Sequence, residues 1–260
     1  MAESLAFGDE VNSALEMAYK TPDIIAARQA VVDALSLQTG QSVLDIGSGP
    51  GLLAQDMAHH VGRQGSIIGV DLAENMLNSA TKLCEELPWV SFESADAMSL
   101  PYADNSFDRL VSTQVYEYVS DLEGALAEFA RVLKPGGYGV IVDTDWEFPY
   151  WNTVDTELRD RVIHAWKLHC AQESVPLRLR AAISKANLEL AGVQALPILN
   201  TAYDEDSFSY WLSKIISSFS VGRNELTQVD AGRWLKDLQT VNDKGEYLFC
   251  INRYLFEIRK

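Results

Sequence analysis

Apolar and polar positions follow two different periodicities along residues 22–143. Short, mostly apolar runs, such as 42–46 and 66–71, are typical of buried strands. Between them, apolar residues recur every three or four positions, which predicts helices. The predicted elements are helix 22–37, strand 42–46, helix 52–60, strand 66–71, helix 74–87, strand 90–94, strand 107–115, helix 122–132 and strand 138–143.

This alternation of strands and helices indicates an α/β fold with a Rossmann-like, doubly wound and mostly parallel sheet. Such sheets bind ligands beyond the carboxyl ends of their strands, where the strand order switches. Polar residues collect at those ends here: Asp45 in the first strand, Asp71 in the second, Asp96 after the third and Gln114 at the end of the fourth. We therefore expect the binding site at this edge.

Three glycines lie between the first strand and the next helix, in VLDIGSGPG at 43–51. Glycine permits positive φ and has no Cβ, so a ligand can lie against main-chain N–H groups at the helix start. A tight turn without a ligand explains the glycines equally well. Asp71 favours the ligand, because it lies twenty residues beyond Gly51, where an acid at the second strand tip accepts from ribose hydroxyls.

Two nucleoside cofactors suit this arrangement. A dinucleotide needs G-x-G-x-x-G around its pyrophosphate, but the third position of that pattern is Leu52. Asp45 would repel a pyrophosphate, whereas it would favour S-adenosyl-L-methionine (SAM), which carries an ammonium and a sulfonium. An NAD-type oxidoreductase is thus the disfavoured alternative.

Composition and charge narrow the possible partners. The chain has 260 residues, enough for one large core, with 47% hydrophobic residues and a net charge of −16. That charge repels phosphate backbones and anionic headgroups, so we expect no nucleic-acid or membrane partner. The first twenty residues carry acids instead of the basic start of a secretion signal, which predicts a cytoplasmic protein.

The cysteines and histidines do not form a metal-binding pattern. Cys84, Cys170 and Cys250 are far apart and show no CxxC spacing, which predicts free thiols. His164 and His169 are five residues apart and do not share one helix face. We therefore predict no metal site.

Four stretches together resemble class I SAM-dependent methyltransferases: VLDIGSGPG, GVDLAENML, ADAMSLPYADNSFDRLVSTQVYEYVSD and RVLKPGGYGVIVD. The similarity is greatest to the small-molecule branch that includes the ubiquinone and menaquinone biosynthesis methyltransferases, and it covers residues 40–145. It implies a seven-stranded sheet with an antiparallel last strand, for which 194–201 and 247–257 are the candidate final pair. The implied organisation is a single methyltransferase domain, 1–260, with an N-terminal helical cap (1–40), a SAM-binding core (41–145), helical lid insertions (146–176 and 205–240) and a C-terminal strand (241–260).

The resemblance also implies which residues bind the cofactor. Asp71 would bind the ribose, Leu72 and Met76 would enclose the adenine, Asp96 would accept from its amine, and Gln114 would border the sulfonium. The glycine loop would hold the methionyl part, although Ser48 replaces the cysteine that many relatives have. The implied set is Tyr19, Arg28, Asp45, Gly47, Ser48, Gly49, Gly51, Asp71, Leu72, Met76, Asp96, Ala97 and Gln114. Tyr19 and Arg28 fit a surface role equally well.

The acceptor site is predicted where acids and aromatic residues follow the fourth and fifth strands. The candidate catalytic residues are Tyr116, Glu117, Trp146 and His164, with His164 or one of the nearby acids as the general base if one is needed; a surface or core role also suits His164. Aromatic faces and carboxylates favour an amine or other cationic metabolite as acceptor. The alternatives are O- or C-methylation of a phenol- or quinol-like metabolite, and a SAM-binding module without catalysis. Aromatic residues of the second insertion fit a core role better than a substrate pocket.

Overall fold

The computed structural model describes residues 9–260, so residues 1–8 of the expected helical cap lie outside the described part. The helices are α1 (Asp9–Ala18), α2 (Pro22–Leu35), α3 (Leu52–Val61), α4 (Glu74–Leu83), α5 (Leu122–Val132), α6 (Thr156–Lys167), α7 (Pro176–Lys185), α8 (Phe208–Ser220) and α9 (Gln228–Asp243). The strands are β1 (Ser42–Ile46), β2 (Ser66–Asp71), β3 (Val90–Ser94), β4 (Phe107–Thr113), β5 (Leu133–Thr144), β6 (Tyr150–Trp151), β7 (Glu189–Asn200) and β8 (Phe249–Arg259). Tyr116–Tyr118 form a 3₁₀ turn.

The chain divides into two compact units. The sheet unit comprises Arg28–Thr144, Ser174–Ala195 and Tyr254–Lys260. The helical unit comprises, among the described residues, 9–27, Asp145–Glu173 and Leu196–Arg253.

The strands of the sheet unit follow the order β3-β2-β1-β4-β5-β8, with β7 beside β8. Strands β1 to β5 are parallel, in the registers Ile46↔Val70, Asp71↔Ser94 and Ser112↔Ile46 for their carboxyl ends. The order reverses between β1 and β4, which makes that point the switch at which such sheets bind ligands. The predicted Rossmann-like α/β class is therefore confirmed.

The last strand runs against its neighbour, as expected. Gly136 N–H donates to the carbonyl of Lys260 at 2.9 Å, so the start of β5 meets the end of β8. In the helical unit β6 pairs antiparallel with β8, Trp151 opposite Phe249. The expected seven strands are thus present, and the two-residue β6 adds to them.

Three departures from the predicted elements have local causes. Helix α4 ends at Leu83 instead of 87: residues 84–86 form a turn in which the Leu87 N–H donates to the Cys84 carbonyl, and Pro88 keeps Leu87 out of helical geometry. Strand β5 begins at Leu133, because Leu133 pairs with Phe107 ahead of an irregular stretch in which Gly136 has a φ of +77°. Helix α7 was not predicted; it begins with Pro176, which the first turn tolerates because it has no N–H to lose.

Tryptophans dominate the core of the helical unit. Trp151 and Trp234 are fully buried with ring centroids 5.1 Å apart, and Trp151 lies 4.5 Å from Phe249. The Trp151 indole N–H donates to the Tyr247 hydroxyl at 2.9 Å, which donates to Ser209 at 2.8 Å. Phe219 and Trp234 of the second predicted insertion are buried in this core, the role that sequence analysis favoured.

The three cysteines lie at different depths in the structure. Cys84 is buried and Cys170 and Cys250 are half-buried, and none of the three is in a disulfide within residues 9–260. Burial raises the pKa of Cys84 to about 11. Over residues 9–260, none of the helices has the length and apolar character to cross a bilayer.

Candidate functional site

The glycine loop connects β1 to α3, and its backbone requires glycine. Gly49 has a φ of +52°, and a Cβ added there would meet nothing within 4 Å. Gly47 has a φ of +73°, and a Cβ there would overlap the side chain of Val115. The loop thus packs tightly at Gly47 and leaves space at Gly49, where a ligand can approach the main chain.

The loop amides bond to the protein. The N–H groups of Gly47 and Ser48 donate to the Val70 carbonyl at 2.7 and 2.9 Å, and Gly49 N–H donates to Asp71 at 2.9 Å. The expectation that a ligand lies against these amides is therefore wrong for these three. A pyrophosphate needs such donors, so this geometry counts further against a dinucleotide.

Asp45 lies under the loop as a buried acid without a partner. It is 1% exposed, and neither carboxylate oxygen has a hydrogen-bond partner among the described residues. Burial, together with the charge of Asp71, raises the pKa of Asp45 to about 7. The hydroxyl of Ser48 is also buried and unpaired. Unsatisfied acceptors of this kind favour a cationic, hydrogen-bond-donating ligand group such as an ammonium.

Asp71 ends β2 and joins two loops. Its carboxylate accepts from the N–H of Gly49 and from that of Ala73, each at 2.9 Å. Each oxygen keeps a second lone pair, and the residue is half-buried, so it can also accept from a ligand hydroxyl. This is the position predicted for the ribose.

The residues predicted to hold the adenine follow the ends of β2 and β3, which are paired neighbours. Leu72 is 69% exposed, unusually high for leucine at the carboxyl edge of a sheet, and Met76 is half-buried. Asp96 accepts from the Met98 N–H at 2.9 Å, and Ala97 is half-buried beside it. An apolar surface and a carboxylate thus lie at adjoining strand ends, as an adenine ring with its amine requires.

Gln114, predicted to border the sulfonium, has a strained backbone. Its φ is +59°, which is uncommon for a residue other than glycine and is found most often at functional sites. Its backbone N–H donates to the Val142 carbonyl at 2.8 Å, and its side-chain oxygen accepts from the Thr144 hydroxyl. Gln114 thus adds two hydrogen bonds to the pairing that joins the ends of β4 and β5.

A buried polar cluster lies below that point. Ser112, Tyr116, Glu117 and Asp143 are all at most 2% exposed, and backbone N–H groups of residues 115–117 face the Asp143 carboxylate. Burial and the charge of Glu117 hold the pKa of Asp143 well above its usual range, although N–H groups of the 3₁₀ turn partly lower it. Burial and the charge of Asp143 likewise raise the pKa of Tyr116.

The four predicted catalytic residues fall in different units. Tyr116 and Glu117 belong to this cluster in the sheet unit, so neither side chain is open to solvent. Trp146 is buried in the helical unit, edge-on to Trp166 and His169 at 5.6 and 5.3 Å. His164 is exposed on α6. Ser112 was missed by sequence analysis; its only signal is a polar residue within the apolar run of β4.

Other predicted residues have partners within their own units. The Arg28 guanidinium pairs with Asp56 of α3 at 2.5 Å, and Tyr19 packs against the helical unit's core. His169 is fully buried, and burial lowers its pKa to about 4. His169 is thus a core residue.

Comparison with known proteins decides the family of the sheet unit. Residues 44–141 match the methyltransferase domain family. Demethylmenaquinone methyltransferase of Desulfitobacterium hafniense is 37% identical over 119 residues, which make up 45% of this chain and 47% of that protein. Residues 44–141 are a class I SAM-dependent methyltransferase domain. The chain spans about half the length of the curated relatives it matches.

Solved structures extend the similarity of the methyltransferase fold beyond this domain. The crystal structure of the YcgJ protein from Bacillus subtilis superposes with a TM-score of 0.62 at 25% identity, covering 91% of this chain and 99% of that one. Phosphoethanolamine N-methyltransferase 2 of Haemonchus contortus, solved with phosphomonomethylethanolamine and S-adenosylhomocysteine, gives a TM-score of 0.64 at 18% identity, covering 98% and 58%. The second similarity shows the fold alone.

The cofactor of the methyltransferase domain is SAM, as predicted. The residues present fit it: Asp45 offers unpaired acceptors to an ammonium, Gly49 leaves open space, and Leu72 exposes an apolar side chain. The individual binding roles stay predictions, and three substitutions test them.

We expect Asp45→Asn to stabilise the fold while it weakens SAM binding. The native state keeps the Asp45 proton up to about pH 7, whereas the unfolded chain releases it near 3.8, so this contribution is full below pH 3.8 and is lost as pH rises through 7. The variant should unfold with a free energy higher by on the order of 2–4 kcal/mol at pH 8, with little difference at pH 4. Thermal melts across this range and SAM calorimetry measure both effects. Asp33→Asn, an exposed acid, is the control; equal melting curves for Asp45→Asn and wild type at pH 8 would show that the carboxylate is satisfied.

Gly49→Val should leave a folded protein that does not bind SAM. The valine must adopt a φ of +52°, at ~1–2 kcal/mol, and its methyl groups enter the open space at the loop. Gly136→Val is a matched control, since Gly136 has a φ of +77° and equally open surroundings away from the loop. Normal SAM affinity in a folded Gly49→Val protein would mean that the glycines serve only the turn.

Asp71→Ala should abolish tight SAM binding, because it removes the predicted ribose acceptor. Two charge-assisted hydrogen bonds of ~1.5–3 kcal/mol each predict at least a hundredfold loss. Asp71→Asn keeps one acceptor oxygen and should lose less. Asp121→Ala removes a carboxylate that likewise accepts a backbone N–H, from Gly124, and controls for the structural effect. A loss below threefold in calorimetry with folded Asp71→Ala would exclude the ribose role.

Proposed function

We propose that the protein is a SAM-dependent methyltransferase that acts on a small molecule. The observation that carries the proposal is the buried, unpaired Asp45 carboxylate under a glycine loop within a methyltransferase domain. SAM supplies an electrophilic methyl group on a sulfonium. The protein's part is to hold an acceptor lone pair in line with it at ~3–3.5 Å, in a site that excludes water.

The first acceptor we propose is an amine or other cationic metabolite. Its support is the set of acids that follow β4 and β5, among them Glu117 and Asp145, and a net charge of −16. An amine attacks as its neutral form, so the protein must lower the population of the ammonium or bind an already neutral amine. Since Glu117 is buried, its charge would act on the acceptor through the electrostatic field near the ends of β4 and β5 and not by direct contact.

The second acceptor class, a phenol- or quinol-like metabolite, is supported by the relatives. Demethylmenaquinone methyltransferase and 2-phytyl-1,4-naphtoquinone methyltransferase are 37% and 34% identical to this chain over 119 and 116 residues. O- or C-methylation of such a molecule releases a proton, which needs a base. His164 is the exposed imidazole among the predicted catalytic residues and is our candidate for it.

The same proposal includes the remaining organisation. We infer a single functional methyltransferase domain over 1–260 in which the segments 146–176 and 205–240 act as lids. We also propose a cytoplasmic protein whose partners are small molecules and not nucleic acids or membranes, as the acidic charge favours.

A screen with methyl-labelled SAM tests the function. Wild-type protein incubated with fractionated metabolite extract should form a labelled small molecule, identified by mass analysis, whereas Gly49→Val should form none. SAM binding without any labelled product would favour the module without catalysis. A labelled amine or a labelled phenol decides between the two acceptor classes.

With the acceptor known, Tyr116→Phe, Glu117→Gln and Trp146→Phe test the strand-end residues. We expect turnover to fall by about tenfold or more in at least one, with SAM affinity unchanged, because proton placement or acceptor orientation is typically a factor of 10² to 10⁴ in rate. Glu123→Gln, an exposed acid on α5, is the control. Wild-type turnover in all three would assign the acceptor to other residues of the segments 146–176 and 205–240.

A further inference from the structure

The helical unit contains a cavity of about 430 Å³ beside His164, our candidate general base. One wall is the segment of β6 and the loop before it; the other is one face of α6. Its lining residues are Glu147, Pro149, Tyr150, Trp151, Arg159, Asp160, Ile163, His164 and Lys167. This volume lies in the range of small-molecule sites, ~300–1,000 Å³.

Two bridges hold the cavity walls at its two ends. Lys167 pairs with Glu147 at 3.0 Å, and the Arg159 guanidinium donates to the Trp151 carbonyl at 3.3 Å. Arg159 and Lys167 lie eight residues apart on α6, about two turns, so the cavity occupies the helix face between them. Because both bridges involve partly buried long side chains, they keep α6 at a fixed spacing from the β6 segment.

The charges that line the cavity cancel. Arg159 pairs with Asp160 at 2.8 Å, and Lys167 with Glu147, which leaves two cations balanced by two anions. A charged ligand would gain little from such pairs and would have to compete with them. The lining therefore selects against a net charge on its ligand.

Two polar groups between the bridges have no partner. Over residues 9–260 the structure gives neither the His164 imidazole nor the Tyr150 hydroxyl a hydrogen bond, although both line the cavity. Trp151 also lines the cavity, but at 1% exposure its side chain is almost closed to a ligand, and its indole N–H is bonded to Tyr247. The apolar surfaces of the lining are the half-buried Ile163 and the exposed Tyr150 ring.

We propose that this cavity binds a small, uncharged aromatic molecule that carries a hydroxyl group. The ring packs against Ile163 and the Tyr150 ring, where an aromatic surface adds to simple burial. The ligand hydroxyl bonds to the His164 imidazole and the Tyr150 hydroxyl, the two unpaired groups. The inference deepens the proposed function and rests on it for the role of His164, our candidate base for a phenol-like acceptor; binding itself needs neither cofactor nor catalysis.

Three naphthalenes of matched shape test the ligand class: 2-naphthol, 2-naphthoic acid and 2-(aminomethyl)naphthalene. Calorimetry or ligand-observed NMR is carried out on the full-length protein without SAM, so the result is independent of the proposed activity. 2-Naphthol should bind at least about fivefold more tightly than either charged compound. Equal or tighter binding of a charged compound, or no detectable binding of 2-naphthol up to its solubility limit, would overturn the proposal.

Substitutions locate the binding. His164→Phe and Tyr150→Phe should each weaken 2-naphthol binding by about fivefold, the effect of one hydrogen bond, while His164→Gln should retain most of it. Ile163→Trp should fill the cavity and abolish binding; its fold is checked by thermal melting, and the two exposed-residue variants decide if it unfolds. His60→Phe, an exposed histidine on α3 of the sheet unit, is the matched control. Unchanged binding in both His164→Phe and Tyr150→Phe would place 2-naphthol elsewhere and refute the site.

Discussion

The Asp71 carboxylate is the constraint on which the candidate cofactor site depends. One oxygen holds the glycine loop through Gly49 N–H, and the other holds the turn into α4 through Ala73 N–H. Charge-assisted bonds to backbone N–H groups are about twice as strong as neutral ones. A single side chain at the end of β2 therefore fixes the two segments between which a nucleoside has to fit, and it keeps lone pairs for that nucleoside.

The position of Asp45 is energetically unfavourable in this arrangement. Two carboxylates at neighbouring strand ends repel each other, and the one that is buried lacks any hydrogen bond. Natural proteins rarely bury an acid in this way unless a ligand or function compensates for it. The N–H groups of the glycine loop, in contrast, already donate hydrogen bonds to the Val70 carbonyl and the Asp71 carboxylate. The site therefore favours a cation beside its acids over an anion beside its backbone.

The two units show different uses of polar groups. In the sheet unit, the cluster of Ser112, Tyr116, Glu117 and Asp143 is buried at the ends of β4 and β5, and its charges can act only through the field that they create. In the helical unit, most charges along α6 are paired, and the unpaired groups line a cavity. Acids that follow the ends of neighbouring strands thus differ in how closely a ligand can approach them, because some of them are buried.

The sequence alone determined the α/β class, most elements and the residues at each strand end. Strands β1 and β2 are where their apolar runs predict them, because a largely buried strand leaves little freedom in its pattern. Strand β3 also lies at its predicted position, although none of its residues is buried. Local signals of this kind also predicted the glycine loop and Asp71. They did not predict α7, whose proline is compatible with either a turn or a helix start.

Only the tertiary structure decided which polar groups have partners. Whether Gly49 N–H meets a ligand or Asp71, whether Glu117 is exposed, and whether Arg28 is available or paired with Asp56 all depend on residues distant in the chain. The cavity beside His164 exists because α6 is bridged to the β6 segment at two points, and no periodicity in the sequence encodes that spacing. Strand patterns are set by burial of neighbouring residues, whereas the chemistry of a site is set by what the fold brings to it.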